Sequence, residues 1–319
     1  MAGECPLHKS VLLEQALEDL APRDGGRYLD GTLGLGGHAR AILESAPGSV
    51  LCGLDRDGEA LEIARERLAS FGERAKLFHL PFSRYEEALD ALGWDEIDGV
   101  LLDLGVSSMQ LDSPDRGFSF RTDGPLDMRM DRLDGAPGAR ELVNRGTFDE
   151  LKKILTEYGE EPLAGKIARR IIEVRSKEPV NTTARLAEII RLSYPPEWRR
   201  SARNHPATRA FQALRMAVND EAGELVKFLG SIFERLAVGG RAVIISFHSL
   251  EDRFVKRAMK KWEKGECQSV AGEPGTRSCF KARLFHKKPV MASDDEKSEN
   301  PRARSAKLRA CEKIKDEVI

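Results

Sequence analysis

The stretch Tyr28-Leu-Asp30-Gly-Thr-Leu-Gly34-Leu-Gly36-Gly37-His38, followed by the helix-prone run Ala39 to Glu44, limits the possible folds more than any other part of the chain. A short apolar run, a glycine-rich turn and a helix start gather backbone N–H groups and a helix dipole around one small polar ligand. Asp30 is expected at the end of the strand. Gly34, Gly36 and Gly37 are expected to take positive φ and to let the backbone approach the ligand closely.

The loop alone leaves two ligands open, because Gly34-x-Gly36-x-x-Ala39 also satisfies the relaxed dinucleotide fingerprint. The acidic residue ahead of the glycines tilts the choice. A carboxylate there repels a pyrophosphate and suits a sulfonium or amino group, so Asp30 favours S-adenosylmethionine over NAD. Ser49 to Asp55 reads as a second strand ending in Asp55, which is spaced to accept hydrogen bonds from both ribose hydroxyls of a nucleoside. The alternative for Asp55 is a helix cap, a role Asp57 can fill. Ala75 to Leu80 reads as a third strand, with Phe82 beyond it where a nucleoside base would lie. Ile97 to Gly105 reads as a fourth, containing Asp103 and leading into the polar loop Val106 to Gln110. Strand and helix alternating in this way predict a parallel sheet with ligands across its carboxyl edge.

At 319 residues the chain has room for about two domains, and 41% hydrophobic residues supply a sizeable core. No apolar run approaches ~18 residues and Met1 to Leu20 lacks a signal-peptide pattern, so no membrane association and a cytoplasmic location are expected. Cys5, Cys52, Cys267, Cys279 and Cys311 form no C-x-x-C pair and fit a reducing compartment. A zinc site from Cys267, Cys279 and His286 is conceivable on residue type, but ordinary thiols, and no metal, are the expectation. A net charge of −1 argues against nucleic-acid binding by bulk charge and leaves room for a local basic face. Arg199, Arg200, Arg203 and Arg209 around His205 form one candidate, a solvated surface being the other reading.

His8 to Leu20 has helical spacing of apolar residues. Leu111 to Asp134 is turn-rich and too long for a linker. Helices follow from a capping box at Thr147-x-x-Glu150, over Pro162 to Ser176 and over Thr183 to Ser193, where Tyr194-Pro-Pro stops the run. His205-Pro206 is expected to restart the main fold, with a helical pattern to Leu236 broken near Gly223. Gly239-Gly240 is expected to turn into a fifth strand, Ala242 to Phe247, ahead of His248. Ala282 to His286 and Lys307 to Ile314 read as further strands, and Gly265 to Ser278 and Ser293 to Pro301 as mobile loops. This gives a main domain from 1–110 and 205–319 and an inserted helical domain, 111–204, for substrate recognition.

Assembled in order, Asp103-Leu-Gly-Val-Ser-Ser, Arg116-Gly-Phe-Ser-Phe, Asp123-Gly-Pro-Leu-Asp-Met-Arg-Met-Asp131, His205-Pro-Ala-Thr-Arg209-x-Phe-Gln-Ala-Leu-Arg215 and Ser246-Phe-His-Ser-Leu-Glu-Asp-Arg253 closely resemble the bacterial ribosomal RNA small-subunit methyltransferase H (MraW) family. The resemblance runs from His8-x-Ser-Val-Leu-Leu to Asn300-Pro-Arg-Ala-Arg-Ser-Ala-Lys-Leu-Arg309, and Gly265 to Ser278 carries no part of it. It implies an α/β fold, a class I (Rossmann-like) methyltransferase sheet with an inserted helical domain. It also implies transfer of a methyl group from S-adenosylmethionine to the N4 amine of a cytidine in the decoding region of 16S rRNA, on naked RNA or on the small ribosomal subunit. By position, it places the cofactor on Gly36, Gly37, His38, Asp55, Phe82, Asp103 and Gln110.

Cytosine's amine is a poor nucleophile, since its lone pair is delocalised into the ring. An acceptor for one N–H would localise that pair, and Asp103 is the main candidate, in competition with its implied cofactor role. His205 or His248 is a candidate for taking the released proton. An unstacked cytidine needs aromatics and cations to hold it, and Arg116, Phe118, Phe120, Arg121 and Arg129 are candidates, with Arg199, Arg200, Arg203 and Arg209 for phosphates. Competing readings are a methyltransferase acting on a protein or small molecule, and a non-catalytic RNA-binding module on the same fold.

Overall fold

The structure is a computed structural model that describes residues 10–201, 204–269 and 277–316, with the backbone alone described for 266–269, 277–279 and 316. In chain order the first elements are α1 (Leu13–Leu20), β1 (Arg27–Asp30), α2 (Gly37–Ser45), β2 (Val50–Asp55), α3 (Gly58–Leu68), β3 (Ala75–His79), α4 (Tyr85–Ala91) and β4 (Ile97–Asp103). Then come α5 (Ser108–Asp112), α6 (Ala139–Arg145), α7 (Phe148–Glu157), α8 (Ala164–Arg175), α9 (Thr183–Ser193), α10 (Pro196–Ser201) and α11 (Thr208–Val218). The chain continues as α12 (Glu221–Arg235), β5 (Leu236–Ser246), α13 (Ser249–Lys264), β6 (Glu266–Ser269), β7 (Arg277–Leu284), β8 (Val290–Met291), α14 (Asp294–Glu299) and β9 (Lys307–Asp316). It divides into two compact units, one from Met1–Gly105 with Gly223–Ile319 and one from Val106–Ala222.

The first unit is an α/β, Rossmann-like fold. Its strands lie in the order β3-β2-β1-β4-β5-β9-β7-β6, with β8 also paired to β9. The first five are mutually parallel, and β9, β7 and β6 are antiparallel. Side chains alternate between the two faces of a strand, so each apolar run feeds two cores. Leu29, Leu54, Val100, Leu102 and Ile244 pack with Tyr85, Phe228, Ile232, Met259 and Trp262 on one face. Tyr28, Leu51, Leu101, Val243 and Ile245 pack with Leu20, Ile42, Leu61 and Leu68 on the other. The strand order reverses between β1 and β4, the switch point where a crevice opens at the carboxyl edge.

The second unit is helical. α8 packs between α7 and α9, and α11 lies against α7 and α6. The Thr147 hydroxyl accepts from Glu150 N while Glu150 accepts from Thr147 N, so the expected capping box opens α7. The irregular stretch before α6 is pinned from within. The Arg116 guanidinium, 1% exposed, donates to the carbonyls of Arg129 and Met130. Asn219, in the break between α11 and α12, accepts from Met130 N and donates to Met128 O.

Several expectations need correction. Ala207, Ala210, Phe211 and Leu214 are buried in the helical unit's core, so His205 does not restart the main fold and that unit runs on to Ala222. The break in the long helical pattern falls at Asn219-Asp220 rather than near Gly223. The polar run after β4 forms α5, and α6 and α10 are helices without a counterpart in the sequence reading. Gly239-Gly240 lies inside β5, at a register shift against β4. Parts of both expected loops are ordered as β6, the start of β7 and α14. Among the described residues no helix is long and apolar enough to cross a membrane.

Candidate active site

The carboxyl edge of the sheet concentrates acid. β1 ends at Asp30, which is fully buried, and its Oδ1 accepts from Thr32 N at 3.1 Å while Oδ2 has no hydrogen-bond partner. Burial, reinforced by the Asp55 charge, pushes the Asp30 carboxyl up to about 7 against the pull of the Thr32 N–H. β2 ends at Asp55, whose carboxylate accepts from Gly34 N at 2.7 Å and Asp57 N at 2.8 Å. Burial pushes Asp55 up to about 6 in spite of those two donors. Asp57 caps α3 by accepting from Glu59 N, which frees Asp55 from that task.

β4 ends at Asp103. Its N–H donates to Thr32 Oγ1 at 2.6 Å, fastening the ends of β1 and β4 together. Asp103 Oδ1 is buried and has no hydrogen-bond partner, and Oδ2 lies 3.8 Å from His38 Nδ1. Burial, then the charges of Asp30 and Glu251, hold this carboxyl well above the ordinary carboxylate range. His38 is 6% exposed, in the first turn of α2, and its Nε2 is 3.1 Å from Val11 O, so that nitrogen carries a proton and donates.

The turn itself needs glycine at two places, for Gly34 and Gly36 stand at φ 52° and 80°. Gly37 departs from expectation. It opens α2 in ordinary helical conformation, and a Cβ on it would meet Ser10 Oγ at 2.1 Å, so close packing is what excludes a side chain there. Phe82 follows β3 in a 3₁₀ turn, edge-on to Phe228 at 5.6 Å and part of the core packing, with its Cβ beside Gly31.

At the end of the neighbouring β5, His248 caps α13. Its Nδ1 accepts from Glu251 N at 3.4 Å and its Nε2 lies 3.0 Å from Glu251 Oε1. Nδ1 is therefore taken by the cap, whereas Nε2 is buried and, despite its short distance to Oε1, makes no hydrogen bond. Glu251, 4% exposed, also accepts from Phe247 N and contributes negative charge at Asp103. Sequence reasoning missed Glu251 and Thr32. The His248-x-x-Glu251 spacing of a capping box was the available signal for the first, and an Asp-x-Thr step at a strand end for the second.

The remaining candidates lie in the helical unit. Gln110 is buried and closes the capping box of α5, its side-chain oxygen accepting from Ser107 N. Arg116 and Phe118 are core residues, with Arg116 5.9 Å above the Phe118 ring, so neither is open to a substrate. Arg129 is committed to Asp127 at 2.6 Å. Phe120 is partly exposed and packs at 4.7 Å against both His205 and Phe211. His205 Nδ1 accepts from Ala207 N, and burial together with the Arg191 charge lowers its pKa, so near neutral pH the ring presents an Nε2–H donor rather than a base. Arg121 and Arg200 are exposed, Arg199 is half-buried and Arg209 donates to Glu160 O. Arg203 lies outside the described residues. Trp198, 49% exposed beside Arg199 and Arg200, is a further aromatic that the sequence reading passed over.

Among the described residues no three His, Cys, Asp or Glu side chains are placed to hold a metal ion. The side chains of Cys267 and Cys279 are outside the described set, and His286 Nε2 faces Asp19 at 2.9 Å.

A family model described as the MraW methylase family matches residues 6–314. Ribosomal RNA small subunit methyltransferase H of Desulfovibrio desulfuricans is 56% identical over 315 residues, covering 97% of this chain and 95% of its own. The protein of the same name from Nitratidesulfovibrio vulgaris is 57% identical over 319 residues, covering 98% and 97%. Among solved structures, an rRNA methylase from Streptococcus thermophilus covers 95% of this chain and 93% of its own at 12% identity and a TM-score of 0.39, too loose a likeness to carry weight.

Proposed function

Because this chain belongs to the MraW methylase family, we propose that it methylates the N4 amine of a cytidine in the decoding region of 16S rRNA, in the cytoplasm, using S-adenosylmethionine. The observation that carries the cofactor is a buried carboxylate oxygen without a partner, Asp30 Oδ2, at the end of β1. A buried carboxylate left unpaired is expensive, and a cationic ligand offsets that cost. S-adenosylmethionine, when bound, supplies an electrophilic methyl carbon on a sulfonium.

In this reading Asp55 holds the ribose hydroxyls, Gly34 and Gly36 bring the backbone close, and Phe82 flanks the base. Asp30 sets the negative field, and His38 orients Asp103. Asp103 accepts an N–H of the cytidine amine, localising the nitrogen lone pair toward the methyl carbon. Asp103 would take the proton that the amine nitrogen gives up when its bond to the methyl carbon replaces the carbon–sulfur bond. A carboxylate with a raised pKa suits that step better than an ordinary one. Holding both reactants in line supplies roughly 7–11 kcal/mol of the barrier reduction.

The helical unit is the substrate-recognition domain. Phe120, His205 and Trp198 offer faces for stacking, and Arg121, Arg199 and Arg200 offer charge to phosphates. The test uses S-adenosylmethionine labelled on its methyl group and small subunits lacking this modification. Label that is released by nuclease and resists protease supports an RNA substrate. Label that resists nuclease overturns it in favour of a protein.

A further inference from the structure

α13 begins at the His248–Glu251 cap, at the carboxyl edge of the sheet, and runs back along the sheet with Leu250, Val255, Met259 and Trp262 buried. The opposite face carries Arg253, Lys256, Arg257, Lys260 and Lys264, all exposed, at the i, i+3, i+4, i+7 and i+11 positions of one stripe. Over eleven residues the stripe is about 16 Å long. Lys256, Arg257, Lys260 and Lys264 form no ion pair with any described residue. The carboxylates flanking the stripe do not neutralise it, since Asp252 is taken by Arg309 at 2.7 Å and Lys307 at 3.6 Å, and Glu263 forms no ion pair with any described residue. Some other exposed cations of the same unit are neutralised by carboxylates three or four residues away, as in Arg40 with Glu44, Arg65 with Glu62 and Arg84 with Glu87. In a chain of net charge −1, so many unpaired cations on one helix face are a local concentration.

We infer that the exposed stripe of α13 is a track for the phosphate backbone of the RNA substrate, leading away from the carboxyl edge of the sheet. The inference rests on the rRNA reading above and adds the surface that grips the RNA outside the methylated nucleotide. A polyanion is the occupant that charge complementarity selects, and the i, i+3, i+4 spacing of about 6 Å between neighbouring side chains lets successive phosphates each meet a cation. The stripe is separate from the residues that hold the cofactor.

The test is the triple substitution Lys256→Gln, Arg257→Gln and Lys260→Gln, measured by binding of 16S RNA and of undermethylated small subunits across a salt series. Each lost phosphate contact lowers the slope of log K against log salt by roughly 0.7–0.9, and at physiological salt weakens binding roughly fourfold to fivefold, so the triple variant loses on the order of 50-fold or more. Affinity for S-adenosylmethionine and the thermal midpoint stay at wild-type values, because the three side chains are exposed. A control with Arg40→Gln, Arg65→Gln and Arg84→Gln makes the same change in net charge and leaves RNA binding nearly unaltered. Equal loss in the two triple variants, or no loss in the first, overturns the track. Wild-type protein that methylates no RNA overturns the functional reading instead. Lys256→Glu alone serves as a second probe and gives a larger loss than Lys256→Gln if the track is real.

Discussion

Asp30→Asn separates what the acidic site does for the ligand from what it does to the fold. Asp30 is fully buried, and its carboxyl is pushed from 3.8 up to about 7. That is a rise of about three pH units, each worth about 1.4 kcal/mol. The sign follows from proton counting. Between pH 4 and 7 the folded chain holds a proton on Asp30 that the unfolded chain has released, so stability falls as pH rises through that window. Above pH 7 the ionised group costs roughly 4 kcal/mol, and below pH 4 it costs nothing. The asparagine keeps the bond from Thr32 N and replaces one unpartnered buried atom with another, which leaves the pH-independent difference small. Urea unfolding without ligand at pH 4, 6 and 8 is therefore expected to show equal stability at pH 4 and a variant more stable by up to roughly 4 kcal/mol at pH 8. Calorimetry at pH 8 is expected to show the reverse for function, with S-adenosylmethionine bound more weakly by the variant. A stability difference independent of pH, or undiminished affinity for the sulfonium, refutes the argument.

Three further outcomes follow from the same geometry. Affinity for S-adenosylmethionine should fall on the order of 30-fold between pH 8 and 5.5 as Asp30 is protonated, while affinity for the uncharged-sulfur product S-adenosylhomocysteine changes much less; titrations of both ligands across this range check it. Asp103→Asn should lower single-turnover methylation by 100-fold or more in the general-base range while changing cofactor affinity little; weakened cofactor binding with normal turnover of the bound complex would assign Asp103 to the cofactor instead. Asn219→Ala leaves Met130 N–H and Met128 O without their partner in a buried setting and should cost about 2–4 kcal/mol, read as an earlier denaturation midpoint.

The parts of the site that the sequence announces are those where local geometry leaves few choices. Gly34 and Gly36 mark positive φ, Asp55 follows at fixed spacing, and Asp57 relieves Asp55 of capping α3. The same holds for the alternating apolar runs of β1, β2 and β4, which stay buried on both faces. Longer-range packing was not legible. An arginine in a polar, turn-rich run reads as a surface cation, yet Arg116 is swallowed by two carbonyls thirteen and fourteen residues away. The apolar face of α11 has the same period whichever core it joins, so Phe211 and Leu214 could not reveal that they belong with α7 rather than with the sheet. The His248-x-x-Glu251 spacing marks at most a helix cap, and only the strand ends show that Glu251 adds its charge to Asp103.

The most direct test of the central claim is nucleoside mass spectrometry of 16S rRNA from small subunits that lack this methylation, after incubation with the purified protein and S-adenosylmethionine. The expected product is a single new N4-methylcytidine in the decoding region, absent with Asp103→Asn over the same time. A methyl group on ring carbon, on a ribose hydroxyl or on another base would contradict the account.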